Sequence, residues 1–154
     1  TLSSSSAASD VYKRQILTPH PGEMARLADV SADEVQSDRI GIARRLALEW
    51  HKTIVLKGAY TVIAAPDGQC RVSPIANPGL ASAGTGDVLT GAIAGLVAQG
   101  LSLFDAAALG VYLHGQAGEM IKAKLGDAGM IATDLLPALP LVIKQLKENH
   151  VISR

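Results

Sequence analysis

The chain has 154 residues, enough for one ordinary domain or part of a larger one. Hydrophobic residues make up 48% and charged residues 18%, a balance that favours a packed core over wholesale disorder. Lys plus Arg is 14 and Asp plus Glu is 14, which leaves no basic footprint for nucleic acid or an anionic membrane, and the single cysteine, Cys70, excludes an internal disulfide framework and a multi-cysteine zinc site.

The opening, Thr1 to Gln15, is rich in Ser and Ala and then charged, with no apolar period. It reads as a non-native or disordered leader, adaptor-like in composition, and it does not begin with Met. Ile16-Leu17 is the stub of a strand that runs into Thr18-Pro19-His20-Pro21-Gly22-Glu23. Two prolines force a rigid turn there, with Pro21 suited to the first turn of the following helix and Glu23 to its positive end. Ser31-Ala32-Asp33-Glu34 has capping-box spacing. Asp38 caps a longer helix in which Ile40, Ala43, Leu46, Ala47 and Trp50 recur at helical spacing.

Thr53 to Leu56 is apolar and β-branched, a buried strand that ends at Lys57-Gly58. Thr61 to Ala65 and Gln69 to Val72 flank Pro66-Asp67-Gly68 and predict a hairpin. Asn77-Pro78-Gly79 breaks the chain, and Ala83-Gly84-Thr85-Gly86-Asp87 opens a helix with Val88, Leu89, Ala92, Ile93 and Leu96 on one face. Gly91 and Gly95 are expected to permit close packing there, and Gly100 to stop the helix. The most apolar run, Val88 to Val97, falls well short of the roughly 20 residues a membrane span needs, and no signal peptide is visible. Ser102 caps a helix over about Leu103 to Leu125; Thr133 caps the last, from Asp134 to about Glu148, with Pro140 as a kink and a fraying tail over 149–154.

This order predicts an α/β layered fold with a mostly parallel sheet covered on both faces. Two strands and a hairpin are few for such a sheet, so further strands are expected ahead of Ile16.

Three segments carry chemistry. Gly84-Thr85-Gly86 lets backbone amides at a helix start approach a phosphate, and Asp87 behind them is either a base or a helix-dipole partner. His20 sits between prolines at a strand's C-terminal end, where open α/β sheets bind ligands. Lys57-Gly58-Ala59-Tyr60-Thr61 follows the buried strand at that same edge, where a lysine can meet a phosphate or simply leave into water. The remaining candidates read as structural: His114 as a packed histidine, His51 and His150 as exposed, Trp50 as core, Cys70 as unactivated. No metal-ligand spacing is recognisable.

Leu17-Thr18-Pro19-His20-Pro21-Gly22-Glu23, Val55-Leu56-Lys57-Gly58-Ala59-Tyr60-Thr61 and Asn77-Pro78-Gly79-Leu80-Ala81-Ser82-Ala83-Gly84-Thr85-Gly86-Asp87 together resemble the ADP/ATP-dependent NAD(P)H-hydrate dehydratases of the ribokinase-like superfamily. The Gly-Thr-Gly-Asp element is shared across the superfamily; the Thr-Pro-His-Pro-Gly-Glu element with Lys-Gly-x-x-Thr is far more specific. Gly110-Val111-Tyr112-Leu113-His114-Gly115 and Ala132-Thr133-Asp134-Leu135 also resemble the family. The likeness runs from Ile16 to about Leu146 and covers the C-terminal part of the family's domain, placed here over residues 16–148. Ser82 stands where threonine is usual.

The resemblance implies a ribokinase-like three-layer αβα fold and a cofactor-repair lyase. The hydroxyl of hydrated NADH or NADPH would be phosphorylated from ADP or ATP, and phosphate would then leave. It implies Asp87 as base and hydrate contact, and His20 as hydrate contact. Lys57, Gly58, Ala59, Tyr60, Thr61 and Gly86 would hold the nucleotide, with amides of Gly84, Thr85 and Gly86 around the transferring phosphoryl group. Magnesium is implied without a nameable ligand, as are a cytoplasmic location, a homo-oligomer at full length and, in many members, an epimerase domain upstream. A chain lacking the domain's N-terminal part is expected to be inactive alone. The competing readings are a superfamily sugar or vitamin-precursor kinase and a non-catalytic nucleotide-binding module.

Overall fold

A computed structural model describes residues 14–126 and 128–152, the side chains of 150–152 excepted. The expectations for the leader up to Lys13 and for the His150 side chain therefore lie outside the described residues. In chain order the elements are β1 (Ile16–Leu17), α1 (Pro21–Ala28), α2 (Ala32–Ser37), α3 (Arg39–Trp50), β2 (Thr53–Leu56), β3 (Val62–Ala64) and β4 (Cys70–Val72). A 3₁₀ turn (Pro78–Ala81) then leads into α4 (Thr85–Ala98), α5 (Leu103–Leu125) and α6 (Ala132–Ile152).

The strands form one sheet in the order β1-β2-β3-β4. Among the described residues β1 and β2 are parallel, whereas β2–β3 and β3–β4 are antiparallel. The expectation of a mostly parallel sheet thus holds here for one pairing of three. The Pro66-Asp67-Gly68 turn is too short for a crossover and folds β3 back onto β4, Gly68 taking a φ of 92°.

All four residues of β2 are buried, and alternation sends them both ways. Ile54 and Leu56 pack with Met24, Val35, Ile42 and Leu46 under α1–α3, and Val55 packs with Leu89, Ile93, Phe104 and Val111 under α4 and α5. Helices therefore cover both faces, and each large aliphatic side chain buried between layers contributes about 1.5–3 kcal/mol. A third cluster, around Leu113, Ile121, Met130 and Leu135, joins α5 to α6.

Most expected caps are present. Ser31 accepts from the Glu34 amide, Asp38 from Gly41 and Ser102 from Asp105, and Gly100 turns the chain at a φ of 97° after α4. Ser31 provides only its own half of a capping box; the complete one lies at His20 and Glu23. Three expectations need correcting. In α3 the buried stripe is Ile42, Ala43, Leu46 and Ala47 with Trp50 packed beside it, and Ile40 faces out, because its first-turn position lies off the face that meets β2. Thr133 does not cap α6: the helix already starts at Ala132, where the Asp134 carboxylate accepts from the Ile131 amide at 3.0 Å. That helix also carries Pro137 and Pro140 internally and runs on to Ile152.

The third correction concerns glycine. A Cβ at Gly91 or Gly95 would meet nothing within 4 Å, so these glycines face away from the packed neighbours. The close approach is made by the partner helix: a Cβ at Gly110 would lie 2.5 Å from Ile93 Cγ1 and 3.4 Å from the Ile93 backbone. Gly110→Ala is therefore expected to destabilise the fold by about 1–2 kcal/mol after the helix-propensity gain. Gly95→Ala should stabilise it by about 0.5–1 kcal/mol. Chemical denaturation of both variants checks the pair, and the reverse order would place the helix contact on the wrong glycines.

Candidate functional site

Because β1 and β2 are parallel, their C-terminal ends open on the same edge of the sheet, the edge at which open α/β sheets bind ligands. The pairing continues past the strands. The Lys57 amide donates to the Pro19 carbonyl at 2.8 Å, laying Thr18-Pro19-His20 beside Lys57-Gly58. The Thr18 and Thr90 hydroxyls, 3.3 Å apart, tie that edge to α4. These segments, distant in sequence, line one cavity of about 690 Å³. His20, Lys57, Gly58, Ala59, Thr61, Gly84, Thr85, Gly86 and Asp87 all lie on its wall. Tyr60 does not: it is exposed, at a φ of 56°, with its amide donating to the Ile75 carbonyl at 3.0 Å.

His20 is held by the helix it starts. Its Nδ1 accepts from the Glu23 amide at 3.1 Å, and its own amide donates to Glu23 Oε2 at 2.7 Å. That arrangement leaves Nε2, 3.4 Å from Glu23 Oε1, as the site of the ring proton in neutral imidazole. Glu23 is thus the helix-start residue expected, but with further contacts. The His20 amide holds its carboxyl below the usual range, Lys57 adding to the shift, against a smaller opposing effect of burial.

Lys57 does not leave into water. Its ammonium lies 3.7 Å from Glu23 Oε2, and a Cβ on Gly86 would come within 3.1 Å of Nζ. Glycine at position 86 leaves room for the lysine to close over the start of α4. The following loop is closed by Thr61 Oγ1, which donates to the Gly58 carbonyl at 2.9 Å.

Gly84, at a φ of 82°, is the N-cap of α4 and offers no side-chain cap, so the first amides of the helix are left to backbone or ligand. They divide unequally. The Thr85 amide donates to Ser82 at 3.3 Å and the Asp87 amide to Gly84 at 3.1 Å, while the Gly86 amide has no partner among the described residues. Thr85 is further pinned by its hydroxyl, which donates to the Leu80 and Ser82 carbonyls. The Asp87 side chain is exposed to the cavity and has no hydrogen-bond or ion-pair partner among the described residues, the condition of a carboxylate available to take a proton.

Several residues of the site escape sequence reasoning. His114, on the cavity wall, is the packed histidine expected, with Nε2 2.9 Å from the Thr85 carbonyl; burial pushes its ring below the usual pKa, against that hydrogen bond. Asn77 is buried in the same wall and holds the Gly79 amide at 2.9 Å, and the break at Asn77-Pro78-Gly79 is the signal that could have marked it. Arg39 lies behind the Lys57–Thr61 loop, and no motif points to it. No group of three ligating side chains among the described residues could hold a metal ion, and among those residues Asp87 is the one carboxylate on the cavity wall. Nor is any described helix long and apolar enough to cross a membrane.

A sequence profile of the NAD(P)H-hydrate dehydratases matches residues 1–141. The chain is 56% identical over 134 residues to the bifunctional NAD(P)H-hydrate repair enzyme Nnr of Moorella thermoacetica, covering 87% of this chain and 25% of that protein. It is 46% identical over 127 residues to the ADP-dependent (S)-NAD(P)H-hydrate dehydratase of Neisseria meningitidis, covering 82% and 43%. Among solved structures it superposes on the ADP/ATP-dependent NAD(P)H-hydrate dehydratase of Bacillus subtilis, crystallised with ATP and Mg²⁺, with a TM-score of 0.81 and 42% identity, over 84% of this chain and 48% of that one. The chain thus spans between a quarter and a half of the length of these relatives.

Proposed function

The chain belongs to the NAD(P)H-hydrate dehydratase family, and from that premise we propose that residues 16–148 supply the nucleotide loop and the catalytic base for repair of hydrated NADH or NADPH. The observation that carries the proposal is the convergence of His20, Lys57, Gly86 and Asp87 on one cavity. A phosphoryl donor would lie against Gly58, Ala59 and Thr61 with its terminal phosphate at the Gly86 amide and the Lys57 ammonium, two positive groups already adjacent. Tyr60 would take part only through its backbone, since its side chain lies away from the cavity.

The chemistry then follows from the groups present. The hydrate hydroxyl, facing Asp87, attacks the terminal phosphorus of ADP or ATP while Asp87 accepts its proton; the bond to the bridging oxygen breaks and AMP or ADP departs. The carbon–oxygen bond of the phosphorylated hydrate then breaks. The lone pair on the neighbouring ring nitrogen drives out inorganic phosphate, and loss of a proton restores the dihydronicotinamide. Magnesium, which keeps most of its waters and binds through nucleotide phosphates with few protein carboxylates, would arrive on the nucleotide rather than in a preformed cage.

The test is incubation of the full-length protein with hydrated NADH and ADP or ATP. Free phosphate and NADH are expected to appear in equal amounts. A stable phosphorylated product with no free phosphate would instead assign the site to a small-molecule kinase.

A further inference from the structure

Arg39 is the first residue of α3, outside every motif described above, and its guanidinium reaches the nucleotide loop from behind. Nη1 donates to the Ala59 carbonyl, and Nη2 donates to the carbonyls of Leu56 at 3.1 Å and Lys57 at 3.2 Å. No carboxylate pairs with it among the described residues, so its bonding is spent on backbone. The loop it grips has an unusual backbone: Gly58 lies at a φ of 138° and Tyr60 at 56°. A Cβ at Gly58 would sit 3.0 Å from Nη2 and 3.3 Å from Nη1. Each trans peptide points its N–H opposite to its C=O. Turning the Lys57 carbonyl onto Arg39 therefore turns the Gly58 amide away from it, and that amide has no partner among the described residues.

The geometry points to Arg39 as a positioning residue for the nucleotide: it ties the Lys57 and Ala59 carbonyls of the loop to the Leu56 carbonyl at the end of β2 and so presents the loop's free backbone toward a phosphate-bearing ligand on the other side. The inference rests on the reading of Lys57–Thr61 as the nucleotide loop. A planar fork with fixed donors suits this task, whereas a lysine offers one point charge. Arg39 has no place on the cavity wall, so it would act through the loop and not on the reacting atoms.

The test compares wild type with Arg39→Gln and Arg39→Lys in the full-length protein. Loss of charge-assisted bonds to the loop is expected to raise the nucleotide KM about tenfold or more in Arg39→Gln, with kcat at saturating nucleotide and the hydrate KM changing less than about threefold. Arg39→Lys should fall between the two. Hydrogen exchange at the bonded amides of Lys57 and Tyr60 should quicken in Arg39→Gln while β2 and β3 keep their protection. An unchanged nucleotide KM in a folded Arg39→Gln protein overturns the proposal, as does an equal loss in kcat and both KM values, which would mark a general structural role. If wild type binds no ADP or ATP by calorimetry, the nucleotide-loop reading fails and takes the positioning role with it; if wild type binds and the variant binds equally, only the role of Arg39 fails.

Discussion

Asp87→Asn is expected to lower turnover by about 10²-fold or more while leaving nucleotide affinity within about twofold of wild type. Asparagine keeps the volume and the acceptor oxygen of the side chain but cannot take a proton at neutral pH. The substitution also leaves the packing alone. Asp87 is exposed at the third position of α4, its amide bonded to Gly84, and its side chain contacts no other described residue by hydrogen bond or ion pair. Loss of a favourable charge near the helix start is the one structural penalty, and it is small at an exposed site. Nucleotide binding is assigned to groups that the change does not touch: Lys57, held by Glu23, and the Gly86 amide. Calorimetry with ADP or ATP and a phosphate-release assay separate the two effects. A variant that turns over at near-wild-type rate would remove Asp87 from the chemistry, and one that loses nucleotide binding as well would make it a binding residue.

How much of this site could be read from the sequence depended on distance along the chain. The helix start at Gly84-Thr85-Gly86-Asp87 and the strand end at Lys57-Gly58 were legible because glycine at a punctuated strand or helix end has few other uses. Their meeting could be expected from the rule that parallel strands open their C-terminal ends on one edge, and the Lys57–Pro19 bond extends that pairing into the His20 loop. Arg39 was not legible. Its contacts span 17 to 20 residues, it follows a capping aspartate, and an arginine in a first helical turn reads as surface. The glycines divide for a similar reason. Gly91 and Gly95 have the spacing of a close helix contact, but spacing leaves open which helix supplies the glycine and which the side chain. Here Ile93 fills the gap at Gly110. The capping box was misplaced because serine followed by glutamate is its usual signature, and a histidine at the cap is not.

Gly58→Val is the second change expected to have a large effect, and it should act on nucleotide affinity while the fold survives. Valine is poorly suited to a φ of 138°, and its Cβ would lie 3.0–3.4 Å from the Arg39 guanidinium, so either the loop or the arginine must move. Forcing a β-branched residue into such a conformation costs about 1–3 kcal/mol, so the free loop should relax to another shape. A ligand that needs the original shape must then restore it, and the cost appears as weaker binding, about tenfold or more. The fold should be spared because Gly58 is exposed and belongs to none of the buried clusters. Gly68→Val separates backbone strain from site geometry. Gly68 also has a positive φ, 92°, but it sits in the hairpin turn with nothing within 4 Å of its Cβ and off the cavity wall. That variant should lose some stability and bind ADP and ATP as wild type does. If calorimetry gives wild-type affinity for a folded Gly58→Val protein, the nucleotide does not lie against this loop, and the assignment of Lys57–Thr61 falls.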